Sequence, residues 1–246
     1  MFPISDDNPR TRLRTPFVAW ALIAANVAVF VWQFSLGPQA GQAVVYSLGM
    51  IPARLFTPAE LPPELAVVPA WATIFTSMFM HGGWLHLGGN MLFLWIFGDN
   101  VEDSMGHVRF LTFYVLCGAA AALTQGVLSP TSPVPMVGAS GAISGVLGAY
   151  LLLHPRATVR VLIFLGIFVT MAYVPAMLVL GIWFLGQLWS AAATPPGEPG
   201  VAFAAHIGGF VAGMALVGFF KRRGVGLFQP PHHRAWQTER RRGPWG

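Results

Sequence analysis

No Asp, Glu, Lys or Arg occurs in residues 110–155 or 161–197 of this 246-residue chain. A helix crossing the hydrocarbon of a bilayer needs about 20 mostly apolar residues, so each stretch has room for one or two crossings. Composition points the same way: 55% of the residues are hydrophobic and 9% are charged, where a soluble domain carries about 25% charged residues. An ordinary soluble fold is excluded. The chain reads as an all-α polytopic membrane protein.

Six spans are expected, at residues 17–36, about 83–98, 110–128, about 138–154, 173–192 and 201–220. Residues 37–70 hold Pro52, Pro58, Pro62, Pro63 and Pro69, too many for one helix, and are expected to lie on or dip into the membrane. Residues 99–103 form an acidic turn, with Glu102, Asp103 and Arg109 read as solvated, and residues 158–170 are apolar without a clear assignment. Every Lys and Arg except Arg54 falls on one side of this arrangement, which places both termini in the cytoplasm. The domain organisation is then a basic N-tail (1–16), a membrane domain (17–220) and a basic C-tail (221–246). Because the net charge of +5 sits beside apolar segments, it suits anionic membrane lipids and not nucleic acid. The single cysteine, Cys117, excludes an intrachain disulfide and a Cys-based metal cage.

A polar side chain inside a span is expensive, and so marks function by default. His86 and Asn90 lie one helical turn apart in the second span. His81 precedes them near the outer end, Ser140 opens the fourth span within Gly138-Ala139-Ser140-Gly141, and His206 lies in the outer part of the sixth. All five share one depth. Serine becomes a useful nucleophile when a neighbouring base takes its proton, and burial in apolar surroundings is expected to keep His206 neutral for that task. His86, Asn90 and the Ser140 backbone N–H suit a developing oxyanion. With no carboxylate in mid-membrane, the expected machinery is a dyad. Gly141, Gly145 and Gly148 form a small-residue stripe on the fourth span and Ala205, Gly209 and Gly213 another on the sixth, the spacing that lets membrane helices touch at backbone distance.

The plainer readings are a packing stripe, a serine bonded to its own helix and a packed histidine. His81, His86 and His206 could together hold zinc, but no His-Glu-x-x-His motif and no carboxylate within a span completes a hydrolytic site. No metal or cofactor is expected. Trp71, Trp84 and Trp95 read as interface or packing aromatics.

The joint pattern resembles the rhomboid family of intramembrane serine proteases. His81-x4-His86-x3-Asn90 is similar to its His-x4-His-x3-Asn, residues 138–141 to its Gly-x-Ser-Gly, and Ala205-His206-Ile207-Gly208-Gly209 with Gly213 to its Ala-His-x-x-Gly-x-x-x-Gly. The resemblance, together with a bacterial-type turn at residues 98–103, implies six helices around a water-filled cavity that opens outward. It implies a peptidase acting on transmembrane protein substrates in the cell (inner) membrane, with its site toward the periplasmic side. Ser140 would be the nucleophile and His206 the general base. His86, Asn90 and the Ser140 amide would form the oxyanion hole, with Gly138 and Gly141 supporting it and His81 holding the outer end of the second span. Two departures stand out: Ser144 occupies a position where some members stack an aromatic on the catalytic histidine, and Ala72-Thr73 stands where some have Trp-Arg. Substrate is expected to enter between spans two and five, with residues 195–200 as a movable cap. The alternatives are a non-catalytic rhomboid-like binder of transmembrane clients and, further off, a histidine-relay transporter.

Overall fold

A computed structural model describes residues 2–165, 168–195 and 200–230. Residues 196–199 of the expected cap and 231–246 of the expected C-tail lie outside the described residues. Nine α-helices are described: α1 (Phe17–Ser35), α2 (Gly37–Leu48), α3 (Pro52–Phe56), α4 (Thr73–Thr76), α5 (Trp84–Met105), α6 (His107–Leu128), α7 (Ser140–Leu153), α8 (Ala176–Ala193) and α9 (Phe203–Phe220). Four of them, α1, α6, α8 and α9, are long and apolar enough to cross a membrane. The remaining two expected spans correspond to α5, whose last turns are acidic, and to α7, which has 14 residues. At about 1.5 Å per residue α7 is about 21 Å long.

The fold is mostly helical, not all-α. A three-stranded antiparallel sheet runs in the order β1 (Phe2–Asp6), β2 (Thr158–Leu165), β3 (Phe168–Pro175). It accounts for the unassigned residues 158–170. Val159 and Val161 are fully buried while Arg160 between them is not, the two-residue period of a strand with one covered face. The β-branched run Thr158-Val159-Arg160-Val161 suits that geometry. The N-terminal residues, expected as a tail, supply β1, with Phe2 opposite Leu162 and Asp6 opposite Val159.

The acidic turn is also corrected: residues 99–103 continue α5, and Glu102 and Asp103 are buried. Both carboxylates are occupied with backbone donors. Glu102 accepts the Val18 and Ala19 N–H groups at 3.0 and 2.8 Å, placing negative charge at the positive end of α1. Asp103 accepts N–H from Thr11, Arg12 and Leu13. Their donors lie more than eighty residues away in sequence, which is why local reading assigned them to solvent. Gly106, at φ +85, then turns the chain from α5 into α6, a conformation glycine adopts without a steric cost.

At the centre, α7 is buried along almost its whole length and packs on α9. The two small-residue stripes meet. A Cβ on Gly209 would collide with the Gly141 carbonyl, one on Gly213 with the Gly145 carbonyl, and one on Gly148 with the Phe210 carbonyl. Backbone therefore touches backbone for two turns. Gly213→Ala is expected to cost about 1–3 kcal/mol and to lower the thermal unfolding midpoint in detergent. Gly218→Ala, on the same helix but facing open space, should leave it unchanged.

Asp6 ties the sheet to the bundle, accepting hydrogen bonds from the Tyr150 hydroxyl at 2.5 Å and from Asn100 Nδ2 at 3.2 Å. Burial lifts its carboxyl from 3.8 to about 7, against the opposing pull of the Tyr150 hydrogen bond, and nearby Asp99 and Asp7 push it the same way as burial. The docked strand therefore holds this proton more tightly than the undocked one. Its contribution to docking is complete below pH 3.8 and is lost as pH rises toward about 7. Amide protection factors in β1 should fall across that window, and Asp6→Asn should flatten the profile.

Candidate active site

Ser140 is the first residue of α7, and its position depends on the glycine two residues earlier. Gly138 has φ +125, and its N–H donates to the Ser77 carbonyl at 2.9 Å. A Cβ there would press into the His86 imidazole, with Asn90 Nδ2 just beyond it. Glycine at this point lets the segment entering α7 pass directly against His86 and Asn90 of α5.

His206 sits in the first turn of α9 and is 9% exposed. Its Nε2 lies 2.8 Å from Ser140 Oγ, a contact between residues 66 apart in sequence. Its Nδ1 lies 2.7 Å from Gln187 Oε1 on α8. A neutral imidazole has one N–H and one accepting nitrogen. The two contacts are satisfied together when Ser140 Oγ–H donates to Nε2 and Nδ1–H donates to Gln187. Ser144, one turn after Ser140, uses its hydroxyl on the Ser140 carbonyl at 2.7 Å. The serine that bonds to its own helix is thus Ser144, and Ser140 points its hydroxyl at the histidine.

His86, Asn90, Gly138, Ser140 and His206 line one cavity of about 840 Å³, which Trp84, Gln125 and Trp183 also border. No Asp or Glu among the described residues lines it. Asn90 Nδ2 is buried and has no hydrogen-bond partner among the described residues. It is an unspent donor at the edge of the cavity. Gly141 also lines the cavity, and a Cβ there would collide with Ala121 of α6. Chemically, the arrangement offers a hydroxyl bonded to an accepting nitrogen, with the free Asn90 Nδ2 donor nearby and no charged side chain in the wall.

His81 is fully buried just before α5, its ring 5.1 Å from that of His86 and edge-on to Phe30. The segment is held through its backbone: Gln33 of α1 donates Nε2–H to the His81 carbonyl at 2.8 Å and accepts the His81 N–H at 3.3 Å. Trp84 packs edge-on against Phe30, Trp95 stacks on Trp20, and Trp71 is largely exposed. No group of three His, Cys, Asp or Glu side chains suited to a metal occurs among the described residues.

Sequence reasoning missed Gln187, Trp183 and Gln33. The ring of Trp183, one turn before Gln187, lies 5.9 Å from that of His206 at 34°. The aromatic neighbour that Ser144 does not supply comes from α8. Gln187 carried a readable signal, as the only side-chain amide in the charge-free stretch 161–197.

A family model for the Rhomboid domain matches residues 69–223, which include all of these cavity residues. Rhomboid protein 1, mitochondrial, of Saccharomyces cerevisiae is 30% identical over 216 residues, covering 85% of this chain and 54% of its own length. Rhomboid-like protein 11, chloroplastic, of Arabidopsis thaliana is 29% identical over 159 residues, 61% of this chain and 52% of its own. Rhomboid protease GluP of Bacillus subtilis is 42% identical over 81 residues, 33% of this chain and 15% of its own. The chain spans about half the length of the yeast and plant relatives.

Proposed function

The chain belongs to the rhomboid family of membrane proteins, and we propose that it is an intramembrane serine endopeptidase. The observation that carries this reading is the 2.8 Å contact of Ser140 Oγ with His206 Nε2 inside a cavity that holds the unspent Asn90 Nδ2 donor and no charged side chain. Ser140 attacks the carbonyl carbon of the scissile peptide bond while His206 Nε2 takes its proton. The oxyanion that forms is held by the Ser140 N–H and by the side chains of His86 and Asn90. His206 then returns the proton to the departing amine, leaving an acyl-enzyme on Ser140. Water deprotonated at Nε2 cleaves that ester and restores the serine.

In this reading α5 and α7 join α1, α6, α8 and α9 as six crossings, with both termini cytoplasmic and the cavity open to the outer side of the cell membrane. The substrates are transmembrane proteins, unwound near the outer ends of their helices and admitted between α5 and α8. A crosslink joining α5 to α8 is expected to stop cleavage of a transmembrane substrate while leaving labelling by a small reagent intact.

The direct test is labelling of the purified, detergent-solubilised protein by a fluorescent fluorophosphonate. Labelling is expected in the wild type and absent in Ser140→Ala and His206→Ala. Asn90→Ala should retain the label and lower the turnover of a transmembrane substrate by roughly 10²-fold, the loss typical of one oxyanion donor. A folded wild type that takes no label would replace this reading with capture of transmembrane clients without cleavage.

A further inference from the structure

We infer that Gln187 is the positioning residue for His206, doing with a neutral amide what a carboxylate does in a catalytic triad. The inference rests on the protease reading above and adds a residue to it. An imidazole that accepts a proton at Nε2 must carry hydrogen on Nδ1, and a buried N–H without an acceptor is costly. Here the acceptor is Gln187 Oε1 at 2.7 Å, so the hydrogen bond holds both the tautomer and the rotation of the ring. No carboxylate among the described residues borders the cavity to do this instead.

The geometry of α8 favours the same assignment. Ala176, Val179 and Leu180 are its buried residues, and Trp183 and Gln187 continue that face at helical spacing. Trp183 neighbours the ring while Gln187 meets its Nδ1. Two successive turns of α8 thus bracket the histidine, one by a ring and one by a hydrogen bond. Ser144, where an aromatic side chain on α7 would be needed, is turned back onto its own helix. An amide oxygen also supplies direction without placing a second charge in a site walled by apolar helices, where an unpaired carboxylate would be costly.

The test compares Gln187→Met, which keeps length and loses the acceptor, with Gln187→Glu, which keeps an acceptor oxygen in either protonation state. Three quantities are measured for each: the rate of fluorophosphonate labelling, kcat and KM on a transmembrane substrate, and the unfolding midpoint in detergent. Gln187→Met is expected to slow labelling and kcat together, roughly tenfold to a hundredfold, a fraction of what a positioned general base contributes. KM should stay at its wild-type value, and so should the midpoint, because the imidazole without Gln187 can carry its hydrogen on Nε2 and donate to Ser140 Oγ, the tautomer that cannot act as the base. Gln187→Glu should recover most of the lost rate. Wild-type labelling in Gln187→Met would overturn the inference and leave the protease reading standing. Equal losses in both variants with a lowered midpoint would also overturn it, assigning Gln187 to packing. Absence of label in the wild type would remove the protease reading itself.

Discussion

Everything in this molecule depends on the distance between α7 and α9. Ser140 and His206 stand at corresponding ends of these two helices, and their 2.8 Å contact exists because the backbones beneath them touch. In lipid there is no hydrophobic gain from bringing two apolar helices together, so close van der Waals approach must supply the association. Gly141 against Gly209, Gly145 against Gly213 and Gly148 against the Phe210 backbone provide it. The same glycines that allow the packing also deliver the serine to the histidine. Structural and chemical demands fall on one seam.

The far end of the bundle is organised by charge. Glu102 and Asp103 are buried there, and every backbone N–H they accept belongs to the N-terminal segment or to the first turn of α1. Buried carboxylates are tolerable when paired with several donors, and these two turn the cost into a clamp that holds the N-terminus onto α5. Asp6 extends the clamp to Tyr150 on α7, the helix that begins at Ser140. The N-terminal strand, the hairpin of β2 and β3 and the helix that carries Ser140 are thereby joined.

At the cavity the polar groups are few and each has a direction. Ser140 is committed to His206, His206 to Ser140 and Gln187, and Ser144 to its own helix, while Asn90 keeps a free donor. In the protease reading proposed above, that last group is the one left available to an oxyanion. A donor already spent in the resting protein would have to break a bond before meeting an oxyanion, whereas an unspent one is preorganised.

The membrane character, the positions of the long helices and the convergence of Ser140, His206, His86 and Asn90 were legible in the sequence, because a polar residue in an apolar helix stands out and glycine spacing reports which faces meet. The clamp was not: Glu102 and Asp103 read as solvated because their backbone donors lie more than eighty residues away in sequence. Nor was the sheet, since the apolar run 158–175 carries too few polar residues to display its two-residue period until β1 and the bundle cover one side of it. Gln187 shows the boundary between the two kinds of knowledge. Its cost as an amide in a charge-free span was visible in the sequence, but its partner was not. Only the docking of α8 against α9 puts Oε1 at the back of the histidine, because a hydrogen bond is set by distance and direction between elements that the order of residues does not specify.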